Sequence, residues 1–337
     1  MHDPQPLLTI AIPTYNRAAD LSVLLTALEP QLVGHPEVDL FISDNCSPDA
    51  TEQTVAAFIT RGMRIRYQRQ PENIGSDRNF VTCFEQAQGE YFWICGDDDI
   101  ILPGTLDKVL DQLRTPLDLI YLTSFGFTQN YSAERTEDPL NRRIHTFSSA
   151  LKFTKVVNIM FTFMSAMVVN RNRLLALNPE PPRAFLSTNL TQLSWCLPLL
   201  PTFRRGVVLW DRPLAARQGN AGGYALGTVF GTNLKATVAR LLPDHPELQA
   251  TITNFTLRRW LPSIMVSMRA ANNQRIGLEA AQQQFQSAYG QNWRFWLFAV
   301  PVMRLPLPLA RVWLKLGAAA SMLIYVLTVR NFWRKET

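Results

Sequence analysis

Cysteine is scarce: Cys46, Cys83, Cys95 and Cys196 are the four in 337 residues, and none forms a C-x-x-C pair. That excludes a disulfide-stapled scaffold and a cysteine-rich metal module, and it suits a reducing compartment. Long apolar runs are also missing. The longest charge-free stretch of the C-terminal tail, Leu316 to Val329, is 14 residues, short of the roughly 20 that cross a hydrocarbon core as a helix. A mean hydropathy of −0.03 argues against a multi-span membrane protein. Met1 to Pro6 carries acid and proline rather than a basic stretch followed by an apolar run, so no signal peptide and a cytoplasmic start are expected. No G-x-S-x-G, Walker or G-x-G-x-x-G motif occurs, and no internal repeat is visible. The histidines, His2, His35, His145 and His245, are scattered and read as surface residues.

What is present is charge in one place. From Gly290 on there are seven Lys or Arg and one acid, which leaves 26 cations and 26 anions before it and accounts for the net +6. Because the excess lies in an apolar, tryptophan-bearing tail (Trp293, Trp296, Trp313, Trp333) and not in a polar groove, it points to an anionic membrane surface and away from nucleic acid. Residues 293–337 are therefore expected to lie in one leaflet, with Pro301, Pro306 and Pro308 interrupting any continuous helix. A buried core helix at Leu316 to Val329, or a tilted span, stays open.

Residues 7–120 alternate between apolar runs and helical spacing. Strands are expected at Leu7–Ile12, Val38–Ser43, Met63–Gln68, Tyr91–Cys95 and Leu117–Thr123, with helices at 18–32, 49–61, 76–87 and 104–113. This pattern predicts an α/β fold with a doubly wound, mostly parallel sheet, whose ligands bind at the carboxyl ends of its strands. A polar connection at 130–143, a helix leading to a strand at 166–169, and a strand at 207–210 follow. The boundaries drawn are 1–226 for the α/β domain, with halves 1–125 and 126–226, then a helical region 227–292 with a kink at Pro262, then the tail.

Three groups fall at strand ends: Ile12-Pro13-Thr14-Tyr15-Asn16-Arg17, Asp44-Asn45-Cys46-Ser47-Pro48-Asp49, and Gly96-Asp97-Asp98-Asp99. Ser47 or Asp49 can equally cap a helix, Asp44 can hold a turn, and Tyr15 can simply pack. The acidic triplet is harder to explain structurally. Adjacent carboxylates at the end of an apolar strand repel one another in a low dielectric and call for a positive partner. Oxygen-only ligands select Mg²⁺ or Mn²⁺, ions commonly held by one or two carboxylates together with phosphate oxygens. Asn73-Ile74-Gly75-Ser76-Asp77-Arg78-Asn79 adds a close turn and a cation, Arg78, for phosphate or for the acids. Arg217 to Tyr224, including Asn220, reads either as a glycine-rich lid over a phosphate or as an ordinary turn.

Through these segments the chain resembles family 2 glycosyltransferases of the GT-A fold, and more narrowly an abequosyltransferase-like branch that assembles bacterial surface polysaccharides. The resemblance implies a nucleotide-sugar site made by Pro13, Thr14, Tyr15, Arg17, Asp44, Asn73, Gly75, Arg78, Asp97, Arg217 and Asn220. It implies a metal among Asp97, Asp98 and Asp99, with Asp97 and Asp99 flanking the ion, or with Asp98 the direct ligand instead, since Gly96 stands where many relatives have their first acid. It also implies transfer of a hexose or deoxyhexose with inversion to a lipid-linked or growing glycan, the lipid being a polyprenyl diphosphate at the cytoplasmic face of the inner membrane. Relatives supply a general base from a Glu-Asp pair roughly ninety residues beyond the metal motif. Here that region, Phe185 to Gln192, has no carboxylate, Glu137-Asp138 comes too early, and Asp211 is the substitute, with a structural role beside Arg212 or Arg205 as its other reading. A noncatalytic nucleotide-sugar or glycan-binding component, and a nucleotidyltransferase, are the other classes these residues admit.

Overall fold

The computed structural model describes residues 5–138, 140–219, 225–270 and 278–333, with the backbone alone at 278 and 321–333. The chain divides into two compact units, Met1–Gly222 and Gly223–Thr337.

In the first unit the elements run β1 (Leu8–Thr14), α1 (Ala18–Leu32), β2 (Val38–Asp44), α2 (Thr51–Thr60), β3 (Arg66–Arg69), α3 (Ser76–Gln86), β4 (Tyr91–Ile94), β5 (Ile100–Ile101), α4 (Thr105–Leu113), β6 (Leu119–Phe127), β7 (Ile144–Phe147), α5 (Ala150–Val157), β8 (Met167–Asn170), α6 (Arg171–Ala176), α7 (Leu193–Cys196) and β9 (Gly206–Arg217). α1 buries Leu21, Leu24, Leu25 and Leu28, an i, i+3, i+4, i+7 stripe that lays one face on the core. β1, β2 and β4 are buried along nearly their whole length, as strands covered on both faces must be.

The sheet order is β3-β2-β1-β4-β8-β6-β9-β5, with β7 on β9. β3, β2, β1 and β4 are mutually parallel, as expected for the first half. Beyond β4 the sheet is mixed and not mostly parallel: β8 is antiparallel to β4 and β6, β9 is parallel to β6, and β5 and β7 are antiparallel to β9. The reason is local. β8 is entered from 3₁₀ turns spanning Asn158–Ala166, and Ser165 there bonds Gly96 just past the end of β4. A strand that starts at the carboxyl end of its neighbour must run back against it, and no helical crossover intervenes. β9 is also longer than the four residues expected: its pairing with β6 shifts register between Leu122 and Ser124 and then resumes as far as Arg217.

An aromatic cluster fastens the 182–196 segment to this sheet. Trp195 stacks on Phe84 of α3 at 5.4 Å and meets Phe92 of β4 edge-on at 5.7 Å, while Arg183 makes a two-pronged ion pair with Glu85 at 2.5 and 2.6 Å. His35, expected to be a plain surface residue, bridges Glu37 and Asp107. All four cysteines are thiols.

The second unit is helical: α8 (Leu234–Leu241), α9 (Pro246–Phe255), α10 (Leu261–Ala270), α11 (Leu278–Tyr289), α12 (Val300–Arg304) and α13 (Leu307–Trp333). π-Helical turns at Thr256–Trp260 and Phe295–Ala299 lead into α10 and α12, so the break expected at Pro262 takes the form of a widened turn just before it. The tail prolines interrupt less than expected. Pro301 and Pro308 occupy the second positions of α12 and α13, where a missing N–H costs nothing. Leu316–Val329 therefore lies inside one 27-residue helix. Phe295, Ala299, Val302 and Ala310 are buried, and Arg259 donates to the Ala318 carbonyl at 2.7 Å, so the first part of the tail packs into this unit. Among the described residues no helix is long and apolar enough to cross a membrane.

Replacing Trp195 with alanine should lower the unfolding free energy by about 3–5 kcal/mol, measured by urea denaturation. A loss under about 1 kcal/mol would show that the 182–196 segment is not anchored there.

Candidate functional site

Parallel register places Thr14, the last residue of β1, opposite Asp44, the last residue of β2, with the end of β4 on the other side of β1. The turns leaving these three strands form one edge. Thr14 Oγ1 donates to Asp97 Oδ2 at 2.7 Å. Arg17 Nη1 donates to Asp97 Oδ1 at 3.0 Å and to Asp98 Oδ2 at 2.9 Å. Ser165 Oγ donates to Asp99 Oδ2 at 2.5 Å and accepts from the Gly96 N–H at 2.9 Å. The backbone N–H of Arg217 donates to Asp99 Oδ1 at 3.0 Å. Space at Gly96 is tight: a Cβ there would lie 3.1 Å from Asp98 Oδ1 and 3.3 Å from Asp99 Oδ2, so these carboxylates would have to give way slightly.

The triplet is thus not equivalent. Asp97 and Asp99 are 4% and 5% exposed. Burial pushes the Asp97 carboxyl up to about 6 and the Asp99 carboxyl up to about 7, opposed by Arg17 and Thr14 at the first and by Ser165 at the second. Asp98 has the more open side chain of the two acids that Arg17 bridges.

The turn after β1 is clipped to the turn after β2. Asn16, in the left-handed region at φ 55°, donates its N–H to Ser47 Oγ at 2.9 Å. The Ala18 N–H, at the start of α1, donates to Asp49 Oδ2 at 2.9 Å. Asp49 also accepts from the Thr51 N–H and hydroxyl at the start of α2, so one carboxylate serves two helix N-termini. Asp44 is fully buried and holds its own turn, accepting from the Ser47 N–H at 2.9 Å and the Tyr67 hydroxyl at 2.6 Å. Asn73 accepts from Asn45 Nδ2 and from the Gly75 N–H, both at 2.9 Å, which fixes the turn before α3 on the end of β2. Pro13 lies within β1, and Tyr15 is 43% exposed on the same edge.

Other expected residues fall differently. Arg17, and not Arg78, is the cation on the acids: Arg78 is exposed, and among the described residues its guanidinium holds no ion pair, because the first turn of α3 points Asp77 inward instead. Arg217 approaches Asp20 at 3.8 Å and lies over the Phe127 ring at 5.3 Å. Asn220 lies outside the described residues. Asp211 sits in the irregular stretch of β9, and its ion pair is with Lys108 of α4.

Two residues carried no motif that would have marked them. Ser165 reaches Asp99 from a 3₁₀ turn 66 residues away. Asp77 is 8% exposed and accepts the Asn189 N–H at Oδ2, 3.0 Å, while its Oδ1 has no partner. Ser187 and Asn189 are both in the left-handed region, at φ 65° and 56°. The loop that lacks an acid of its own is therefore held by one from α3, and burial pushes the Asp77 carboxyl upward. The nearest sequence signal was the charge itself, one position before Arg78.

Whether the donor set suits a divalent cation follows from these bonds. Both oxygens of Asp97 and of Asp99 are engaged by protein donors, and among the described residues no three His, Cys, Asp or Glu side chains form a metal cage. Asp98 is bonded as well, by Arg17, but is the most exposed of the three; the all-oxygen set suits a hard cation that would meet Asp98 first, with the rest of its shell taken from phosphate and water.

A parallel half-sheet with acids at its strand ends, continued by antiparallel strands, defines a GT-A-like α/β fold. The structure of S. aureus TarS residues 1–349 in complex with UDP superimposes with a TM-score of 0.62, covering 92% of this chain and 88% of that one at 17% identity, a likeness of fold. The Glycosyl transferase family 2 profile matches residues 9–174, about half of the chain, and that segment belongs to the family. The chain is 28% identical over 213 residues to abequosyltransferase RfbV of Salmonella typhimurium, covering 57% of this chain and 63% of that one. It is 26% identical over 155 residues to the putative teichuronic acid biosynthesis glycosyltransferase TuaG of Bacillus subtilis, covering 44% and 59%. The alignments thus span about three fifths of these relatives' lengths.

Substituting Ser165 with alanine leaves a buried carboxylate oxygen without its donor and should cost about 1–3 kcal/mol of stability at neutral pH. Urea denaturation measures it, and an unchanged midpoint would show that Ser165 does not support Asp99.

Proposed function

We propose that this protein is a glycosyltransferase that moves a hexose or deoxyhexose, with inversion, from a nucleotide sugar to a lipid-linked or growing glycan in bacterial surface polysaccharide synthesis. The observation that carries this reading is the docking of Asp97, Asp98 and Asp99 by Thr14, Arg17 and Ser165 at the carboxyl ends of β1 and β4. Support comes from relatives named as an abequosyltransferase and as a teichuronic acid glycosyltransferase, and from TarS, solved with UDP and with UDP-GlcNAc.

In this reading the exposed Tyr15 ring receives the nucleobase, beside the Asn45–Asn73–Gly75 turn. Arg17 holds Asp97 and Asp98 in place, and Arg217 and Arg78 are the cations near the donor's diphosphate. A Mg²⁺ or Mn²⁺ ion held by Asp98 would supply neutralisation of the charge that builds on the departing nucleoside diphosphate. Arg17 and Thr14 hold the Asp97 carboxylate so that the edge does not rearrange as that charge develops. Transfer requires an acceptor hydroxyl to lose its proton as the new bond to the anomeric carbon forms and the bond to the diphosphate breaks. Asp211 is the candidate base and must leave Lys108 to act.

The acceptor proposed is a polyprenyl diphosphate glycan at the cytoplasmic face of the inner membrane. The exposed Trp293 and Trp296, at 59% and 43%, with Arg304, Arg311 and Lys315, suit a headgroup layer. The pairing of Asp211 with Lys108 and the lack of an acid in 185–192 favour a second reading, a noncatalytic nucleotide-sugar-binding component.

Thermal shift against UDP, GDP, dTDP and CDP sugars with Mn²⁺ should identify one nucleotide, with a gain of about 2.7 kcal/mol at 100 times its dissociation constant. Asp98→Ala should cut transfer about a hundredfold or more. Intact transfer by that variant would refute the metal assignment, and stabilisation by a donor that is never consumed would establish the second reading.

A further inference from the structure

The second unit contains a cleft that the reaction does not use. A cavity of about 520 Å³ is lined by residues of α8, α9 and the turn after α11, among them Lys235, Gln249, Asn254, Trp293 and Arg294. That volume is within the range of small-ligand sites. No carboxylate lines it, and Glu247, next to the lining Pro246, is engaged by His245 at 3.4 Å.

Among the described residues no acid pairs with its cations. Arg294 Nε is buried without a partner, and the guanidinium lies over the Trp293 ring at 4.5 Å. Arg258, held through Nε by the Asn254 carbonyl at 3.2 Å, lies close enough that the Arg294 charge adds to burial in lowering its pKa. Among the described residues neither arginine pairs with an acid. Arg258 lies outside the lining and adds to the positive field behind it. A planar, forked donor such as the Arg294 guanidinium matches phosphate oxygens. Lys235, bonded to the Ala288 carbonyl at 2.8 Å, is the second positive group of the wall.

We propose that this cleft is an anion site for a phosphate or diphosphate group, held by Arg294 and Lys235 with Asn254 and Gln249 as neutral partners. The exposed Trp293, Trp296 and Leu297 beside it suit a phosphate carried on a lipid, and a soluble phosphate shares the same chemistry. The site does not depend on the transfer reaction, so it can be tested by binding alone.

The full-length protein, in EDTA so that no divalent ion assists, is titrated with inorganic pyrophosphate by calorimetry. It is also floated with phosphatidylcholine vesicles with or without phosphatidic acid. Saturable pyrophosphate binding should be weakened about tenfold or more by Arg294→Gln and by Lys235→Gln. Asn254→Asp, which puts a negative charge in the cleft without removing an arginine, should weaken it as well. Arg64→Gln, at an exposed arginine of the first unit, should leave it unchanged, and unaltered melting temperatures would show that the variants fold. Flotation that requires phosphatidic acid and is lost in the same variants assigns the phosphate to a lipid headgroup. Flotation that is unaffected assigns it to a soluble ligand. Absence of binding to both pyrophosphate and phosphatidic acid vesicles, or equal binding by wild type and variants, overturns the proposal.

Discussion

Arg17 bridging Asp97 and Asp98 is the interaction on which the site depends. Three consecutive carboxylates at the end of a fully buried strand are unfavourable: two unit charges 4 Å apart interact by about 4 kcal/mol at an effective dielectric near 20. Arg17 can offset this because the turn after β1 is itself held, by Ser47 and Asp49, against the turn after β2. Thr14 and Ser165 then give the two buried acids hydroxyl donors, and the Arg217 N–H completes Asp99. One guanidinium bonds two of the three acids, and burial keeps two of the carboxyls well above their ordinary range. In the proposed reading, a cation arriving with a diphosphate would relieve both conditions together.

The same arrangement explains the departure of the sheet from a simple doubly wound form. Ser165 must sit beside Gly96 to reach Asp99, which obliges β8 to start at the carboxyl end of β4 and run back against it. β9 must extend past its irregular middle so that Arg217 arrives at the same acid. The antiparallel strands thus bring a second set of chain segments to the edge that the parallel strands define.

Legibility in the sequence followed the range of the interactions. The β-α-β units of the first half could be read because burial on both faces gives continuous apolar runs and the helices carry their stripe. Asp97 to Asp99 could be found because adjacent charges are visible without a fold. The partner of those acids could not: Arg17 and Arg78 both follow strand-end turns, and only the inward turn of Asp77 shows which cation is left outside. Ser165 is a lone serine in Met164-Ser165-Ala166, and its importance comes entirely from a contact across 66 residues. Asp77 lies 112 residues before Asn189, so its hold on that loop exists only in the folded chain. In the helical unit the prolines misled, since a proline in the first turn of a helix and one that breaks it look alike until the start of the helix is known.

The most direct test of the central claim is anomalous diffraction from crystals of the full chain soaked with Mn²⁺ and, in turn, UDP, GDP, dTDP and CDP. For one nucleotide the account predicts a manganese peak at Asp98 with the diphosphate against it, while Arg17 still holds Asp97. Nucleotide bound at another part of the chain, or no metal beside these carboxylates with any of the four, would contradict it.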